Sequence, residues 1–151
     1  MKVLVGHDKA VAAWVARHIP GCERGWEKPR ALGVLNDDGF VVGGLVYHDW
    51  QPEAGVIEIS GASVDRRWLN RRVLTTLLDY PFSFCQMIVG RHDPEGPARR
   101  WWKAVGADEF LIPRLRGRDR DAVVSTLTAE QWAASPFNAN NGGGNEQAVR
   151  A

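Results

Sequence analysis

An α+β domain is the fold this sequence predicts: a mixed, mostly antiparallel central sheet with helices on both faces. Three observations predict it. The apolar period switches between two and 3.6 along the chain, in the order β-α-β-β-β-α-β-α-β-β. The strands after the first helix are separated by short turn signals, as hairpins require. One helix, at 70–82, lies between two strands, and a helical crossover makes that pair run parallel.

The opening KVLV is a short strand. After Gly6, Asp8 can cap a helix in which Val11, Trp14, Val15 and Ile19 form one stripe. Pro20-Gly21 ends it, and residues 21–30 are a polar loop. ALGVL and FVVGGLVY flank NDDG, a hairpin in which Asp38-Gly39 supplies positive φ angles. HDWQPEAG is the next turn. GVIEISGASV, at 55–64, is a strand with Ile57 and Ile59 on one face and Glu58 and Ser60 on the other. Gly61 within it marks a bulge or a close backbone approach by a ligand.

Val73, Leu74, Leu77 and Leu78 make an amphipathic helix that Pro81 stops. CQMIVG is a continuous apolar run, read as a strand buried on both faces. In DPEGPARRWWKAVG, Asp93 caps a helix, Pro94 takes its first position and Gly106 its left-handed end. EFLIP is a strand, RLRGRDR a charged loop, AVVSTLT the last strand and AEQWAA a short helix. Residues 1–134 make one domain. The polar stretch 135–151, rich in Gly and Asn, is expected to be a disordered tail.

A chain of 151 residues with 44% hydrophobic and 25% charged residues is long enough to bury a core without staples. Its net charge of +1 is unevenly spread. Residues 66–120 hold 12 basic and 6 acidic groups, whereas both flanking segments are acidic. Local basicity favours a site for an anionic ligand over general nucleic-acid coating. Nucleic acid stays possible but is not favoured: RLRGRDRD has no aromatics for stacking bases and reads as a solvated hairpin loop. Cys22 and Cys85 follow no spacing motif and are expected to be reduced, with Cys85 in the core. The first apolar run is too short for a signal peptide or a membrane span, so a cytoplasmic protein is expected. The four histidines are scattered, and no metal is expected.

The densest charge is SVDRRWLNRRVL, where Arg66, Arg67, Arg71 and Arg72 crowd a strand-to-helix turn. A helix N-terminus has unpaired N–H groups and partial positive charge, so it attracts anions. Arginines in the first turn oppose that dipole by about 0.3–1 kcal/mol each. A bound phosphate would turn the penalty into attraction. Arginines that merely point into water are the alternative. Asn70 is a good N-cap for this helix.

This order of elements, with SVDRRWLNRRVL and EGPARRWWKAVGADEF, resembles the GNAT superfamily of acyl-coenzyme-A-dependent N-acyltransferases. It is similar above all to short bacteriophage-encoded members with W-L-x-R at the turn. The resemblance implies that the strand at 55–64 leads into a turn whose N–H groups hold the diphosphate of coenzyme A. Arg66 or Arg67 stands at the leading basic position, and Leu69, Asn70 and Arg71 stand where the family has glycines. The implied cofactor-binding set is Gly61, Ala62, Ser63, Val64, Arg66, Arg67, Trp68, Leu69, Asn70, Arg71, Arg72 and Glu95. On the next helix Glu95 stands for the family's Asn, Ala98 and Gly106 match, and Trp102 replaces the Tyr that serves many members as general acid. The implied reaction is direct acetyl transfer from acetyl-CoA to an amine, on a small molecule or a protein. The thioester would lie where the strands at 55–64 and 85–91 splay apart.

An amine acceptor has to lose a proton, so a base is needed. Glu58 is the first candidate, with a surface carboxylate as its alternative. His48 follows; with Asp49 it ends the preceding strand, near Glu58 across the strand pair. His92 is the third. A GNAT-fold protein that binds without chemistry is the rival function, and a nucleic-acid-directed modifier is another. The acceptor and the oligomeric state are not encoded in any motif.

Overall fold

The computed structural model describes residues 1–141. Seven strands form one sheet in the order β1-β2-β3-β4-β5-β7-β6. They are β1 (Lys2–Leu4), β2 (Arg30–Leu35), β3 (Val41–Gln51), β4 (Val56–Ser63), β5 (Met87–His92), β6 (Asp108–Gly117) and β7 (Arg120–Thr128). The helices are α1 (Asp8–His18), α2 (Arg71–Phe82), α3 (Ala98–Val105) and α4 (Ala129–Ala134). Only β4 and β5 pair in parallel, and α2 crosses between them, as expected.

The sheet has a core on each side. Val11, Ala12 and Val15 of α1 pack on Ala31 and Val46. On the other face, residues of α2, α3 and α4, among them Leu77, Trp102 and Trp132, share one cluster with Leu45, Ile57 and Ile59. Period-two alternation along β4 therefore sends Ile57 and Ile59 under α2 and leaves Glu58 and Ser60 half-buried on the α1 face. Tyr47 lies on the α2 face and donates its hydroxyl to the Leu77 carbonyl, 2.6 Å away.

Several expectations are corrected. Asp8 is the first residue of α1, not its cap; its carboxylate accepts from the Ala31 N–H at 2.9 Å and ties the helix to β2. In the β2–β3 turn only Gly39 has positive φ, because the Asn36 side chain accepts from the Asp38 and Phe40 N–H groups and shapes the turn itself. β3 does not end at Tyr47 but runs to Gln51 through a bulge, with Asp49 at φ 54°. Pro81 does not stop α2: it sits in the last turn, and the helix ends at Phe82. β5 is fully buried only at alternate positions, Ile88 and Gly90. Asp93 caps a turn, accepting from the Glu95 N–H, and α3 starts only at Ala98. RLRG belongs to β6, so the charged loop shrinks to a tight turn between Gly117 and Arg120.

The tail is also corrected in part. Ser135 and Asn138 are buried, and the 3-10 turn Ala139–Asn141 packs on α2. The Ala139 N–H donates to Thr75 and Asn140 to Asp79, so polar residues hold this segment by hydrogen bonds rather than by apolar burial. Residues 142–151, on which the rest of that expectation falls, lie outside the described residues.

Candidate active site

The gap between β4 and β5 organises the site. The two strands pair only at Val56↔Met87, Ile57↔Ile88 and Glu58↔Val89. β4 then continues to Ser63 and β5 to His92 without facing each other in register. On the other edge of β4, the Val64 N–H donates to the Val42 carbonyl at 2.9 Å, and the antiparallel register holds down to Glu58. Hydrogen-bonding direction alternates along such a strand, so Ser60 and Ala62 also turn their N–H groups toward β3. The N–H groups of Gly61 and Ser63 therefore face the gap, whereas that of Ile59, one residue past Glu58↔Val89, still pairs with the Val89 carbonyl of β5. Gly61 serves the protein's own packing: a methyl there would overlap the end of the buried Leu45 side chain, which would have to shift. The bulge lies in β3, not at Gly61.

At the apex of the gap, Glu58 stands opposite His48 in register. Glu58 Oε1 accepts from Arg91 at 3.3 Å, and Glu58 Oε2 lies 3.9 Å from His48 Nε2. His48 Nε2 is 2.8 Å from Ser60 Oγ, and His48 Nδ1 is 2.6 Å from Asp49 Oδ2. Trp26 stacks on the imidazole at 5.2 Å. A connected polar line thus runs Asp49–His48–Ser60, with Glu58 beside it and Arg91 supplying positive charge. The left-handed backbone at Asp49 lets its side chain reach the ring of the preceding residue. Cys22 lies close enough that its thiol is pushed up, first by burial and then by Glu23 and Glu58. His48, Asp49 and Glu58 bring potential metal-ligand atoms within 4.8 Å of one another. Both ring nitrogens already meet Asp49 or Ser60, and Arg91 lies on Glu58, so the group is closed on itself.

His92 does not join them. Its side chain is on the α2 face, where Nε2 meets Ser125 Oγ at 2.8 Å and the ring stacks on Trp102 at 6.3 Å. Its Nδ1 is buried without a partner, and burial pulls its pKa below the usual histidine range. Trp102 covers Gly90, where a methyl would overlap its ring. Cys85 is buried, its thiol pushed up to about 11 by desolvation, and both cysteines are free.

At the cationic corner the Asn70 side chain accepts from the Val73 N–H at 2.8 Å. Asp65 shapes the turn by accepting from the Arg67 N–H. Trp68 turns inward onto Gly43 and is buried, and Leu69 is half-buried. Trp68 is therefore a core residue that anchors the turn. Arg66, Arg67 and Arg72 are exposed. Arg67 touches Asp65, whereas Arg71 donates to the Pro136 carbonyl of the folded-back tail. Ala62 packs toward α1, Ser63 and Val64 are exposed, and Glu95 is exposed before α3.

A cavity of about 380 Å³ opens beside the apex, where the β3 bulge and the end of α2 meet the loop before β2. His48, Asp49, Trp50, Ile57, Tyr80 and Phe84 contribute to its wall.

Three of these site residues were missed from sequence, namely Ser60, Arg91 and Trp26, whereas Asp49 was expected beside His48 near Glu58. Ser60 carried a signal, since period two already places it beside Glu58. Arg91 depends on the parallel register and Trp26 on how the loop at 21–30 folds; neither has a local signature.

No family profile matches the chain, and no curated protein matches it. Solved structures do. A variant of the spermidine N-acetyltransferase of Vibrio cholerae superposes with TM-score 0.61 at 16% identity, covering 78% of this chain and 73% of that one. A ribosomal-protein-S5-alanine acetyltransferase of Vibrio fischeri gives 0.58 at 12%, covering 69% and 63%. A GCN5-related N-acetyltransferase of Brucella melitensis gives 0.56 at 24%, covering 70% and 53%. The likeness establishes the fold: a GNAT-like α+β domain, as the sequence predicted. The chain spans about two thirds of the length of the first structures it matches. Among the described residues no helix is long and apolar enough to cross a membrane.

Proposed function

We propose that the protein transfers an acetyl group from acetyl-CoA directly to an amine. The observation that carries this is the parting of β4 and β5 immediately after Glu58↔Val89. It leaves a slot edged by the N–H groups of Gly61 and Ser63, with a carboxylate–imidazole pair at its closed end. A strand-like pantetheine arm fits such an edge, since it carries amides that can pair with exposed backbone.

Acetyl-CoA supplies the activated acyl group when bound. Arg66, Arg67 and Arg72 and the N-terminus of α2 would hold its phosphates. The N–H groups facing the gap would hold the arm and bear on the acyl oxygen. Glu58, backed by His48, takes the amine proton, and the His48–Asp49 contact fixes the ring. Thiols have a reference pKa of about 8.5, so the leaving group needs little assistance and a tryptophan at the tyrosine's place is tolerable. The acetyltransferase structures that share the fold support the same reading.

Isothermal calorimetry with acetyl-CoA tests it. Arg66→Ala combined with Arg67→Ala should weaken binding without lowering the melting temperature, because both side chains are exposed. Unchanged affinity would refute the phosphate seat. Trp102 in place of the tyrosine favours a second reading, a GNAT-fold binder without chemistry. Tight acetyl-CoA binding with no thiol release across a panel of amines would select it.

A further inference from the structure

We propose that the amine acceptor is a free α-amino acid with a large apolar or aromatic side chain, seated in the cavity beside the apex. This rests on the acyltransferase reading and names its substrate class. The cavity, about 380 Å³, lies within the range of small-molecule sites. Its wall is divided into three chemically distinct parts.

The first part is aromatic. Trp50 and Phe84 meet edge to face at 5.2 Å, and Phe84 meets Tyr80 at 5.4 Å. Trp50 and Phe84 stay 40% and 43% exposed although both line a concavity. An apolar body laid against them removes that area from water. The second part is cationic: Lys28 and Arg30. Arg30 reaches Asp8 only at 3.6 Å and is 71% exposed, and Lys28 makes no ion pair among the described residues. The third part is the Asp49 carboxylate with the His48 ring, joined by Glu27.

An amine with no anionic group would leave Lys28 and Arg30 facing a like charge. A carboxylate with no ammonium would do the same to Asp49 and Glu27. A zwitterion with an apolar side chain satisfies all three parts at once. Its ammonium takes Asp49, its carboxylate takes Lys28 and Arg30, and its side chain lies on Trp50, Phe84 and Tyr80. This pose also brings the amine to the base, because His48 lines the cavity and lies 3.9 Å from Glu58. In the transfer the amine nitrogen forms a C–N bond to the acyl carbon and the thioester C–S bond breaks. The ammonium gives up two protons: one passes through Glu58 and His48 to solvent, and one ends on the departing thiolate.

The test uses the full chain without any thioester. Saturation-transfer NMR and thermal shift are run with L-phenylalanine, L-alanine, 2-phenylethylamine and spermidine. L-Phenylalanine should bind at least about tenfold tighter than each of the others. Trp50→Ala and Lys28→Met should each weaken it by about tenfold, with the circular dichroism spectrum unchanged. No saturable L-phenylalanine binding at about 10 mM, ten times the upper end of ordinary KM values, would overturn the proposal. So would equal binding of 2-phenylethylamine, or tighter binding of spermidine. Acetyl-CoA affinity is measured separately, so failure of the acceptor proposal and failure of the acyltransferase reading are told apart.

Discussion

Replacing Glu58 with Gln removes one negative charge and almost nothing else. The amide keeps the size of the carboxylate, and its carbonyl can still accept from Arg91. The structural cost is therefore small. Arg91 is 52% exposed, and the pair at 3.3 Å is of the kind worth about 0–1 kcal/mol. In a domain of this size that shifts the melting temperature by no more than about 4 °C. The catalytic cost is much larger. Glu58 is 18% exposed and lies 3.9 Å from His48 Nε2, so its charge sits where an amine proton has to go. A positioned general base contributes about 10²–10⁴ in rate, and at 1.36 kcal/mol per decade this is about 2.7–5.4 kcal/mol of barrier. The assay is release of free thiol from acetyl-CoA with any amine the wild-type protein turns over, with calorimetric acetyl-CoA binding in parallel. Turnover should fall by at least about a hundredfold while acetyl-CoA affinity is kept. Full activity of Glu58→Gln across pH 6–9 would show that the base lies elsewhere.

Gly43→Ala would drive a methyl into the Trp68 ring, and overpacking of that kind costs about 1–3 kcal/mol, read as a lower urea midpoint with unchanged slope. Asn70→Ala removes the cap on the Val73 N–H and should cost about 0.5–2 kcal/mol; an unchanged midpoint would deny the cap its role. His92 has a pKa lowered by burial, so the unfolded chain binds its proton more readily than the folded one. Stability should therefore be fully present above about pH 6.5 and fall as pH drops below it, toward the depressed folded pKa. His92→Gln should flatten that slope between about pH 6.5 and 5, above the range where carboxylates titrate; an identical slope in the variant would assign it to another group.

The order of elements and the one parallel pair were legible because they follow from period and connection length, whereas the parting of the middle strands was implied only by the resemblance. A helix between two strands makes them parallel, and a carboxylate between Ile57 and Ile59 must face away from them. What escaped depends on contacts distant in sequence. Nothing local marks Asp49 as left-handed, so the extension of β3 to Gln51 and the His48–Asp49 contact were invisible. Trp68 reads as part of a basic surface turn until Gly43, 25 positions earlier, supplies the space for its ring. Residues 135–141 have the composition of a tail, yet Thr75, Asp79 and Arg71 hold them by hydrogen bonds that hydrophobic patterning does not register.

Amide hydrogen exchange, resolved by residue and measured with and without acetyl-CoA, tests the gap most directly. Ser60, Ala62 and Val64 should be protected in both states, since their N–H groups turn toward β3. Gly61 and Ser63 should exchange fast in the free protein and slow markedly when acetyl-CoA is present, whereas Ile59, paired with β5, should be protected throughout. If saturating acetyl-CoA leaves the Gly61 and Ser63 amides unchanged, no thioester lies along β4, and the enzyme interpretation is wrong while the fold stands.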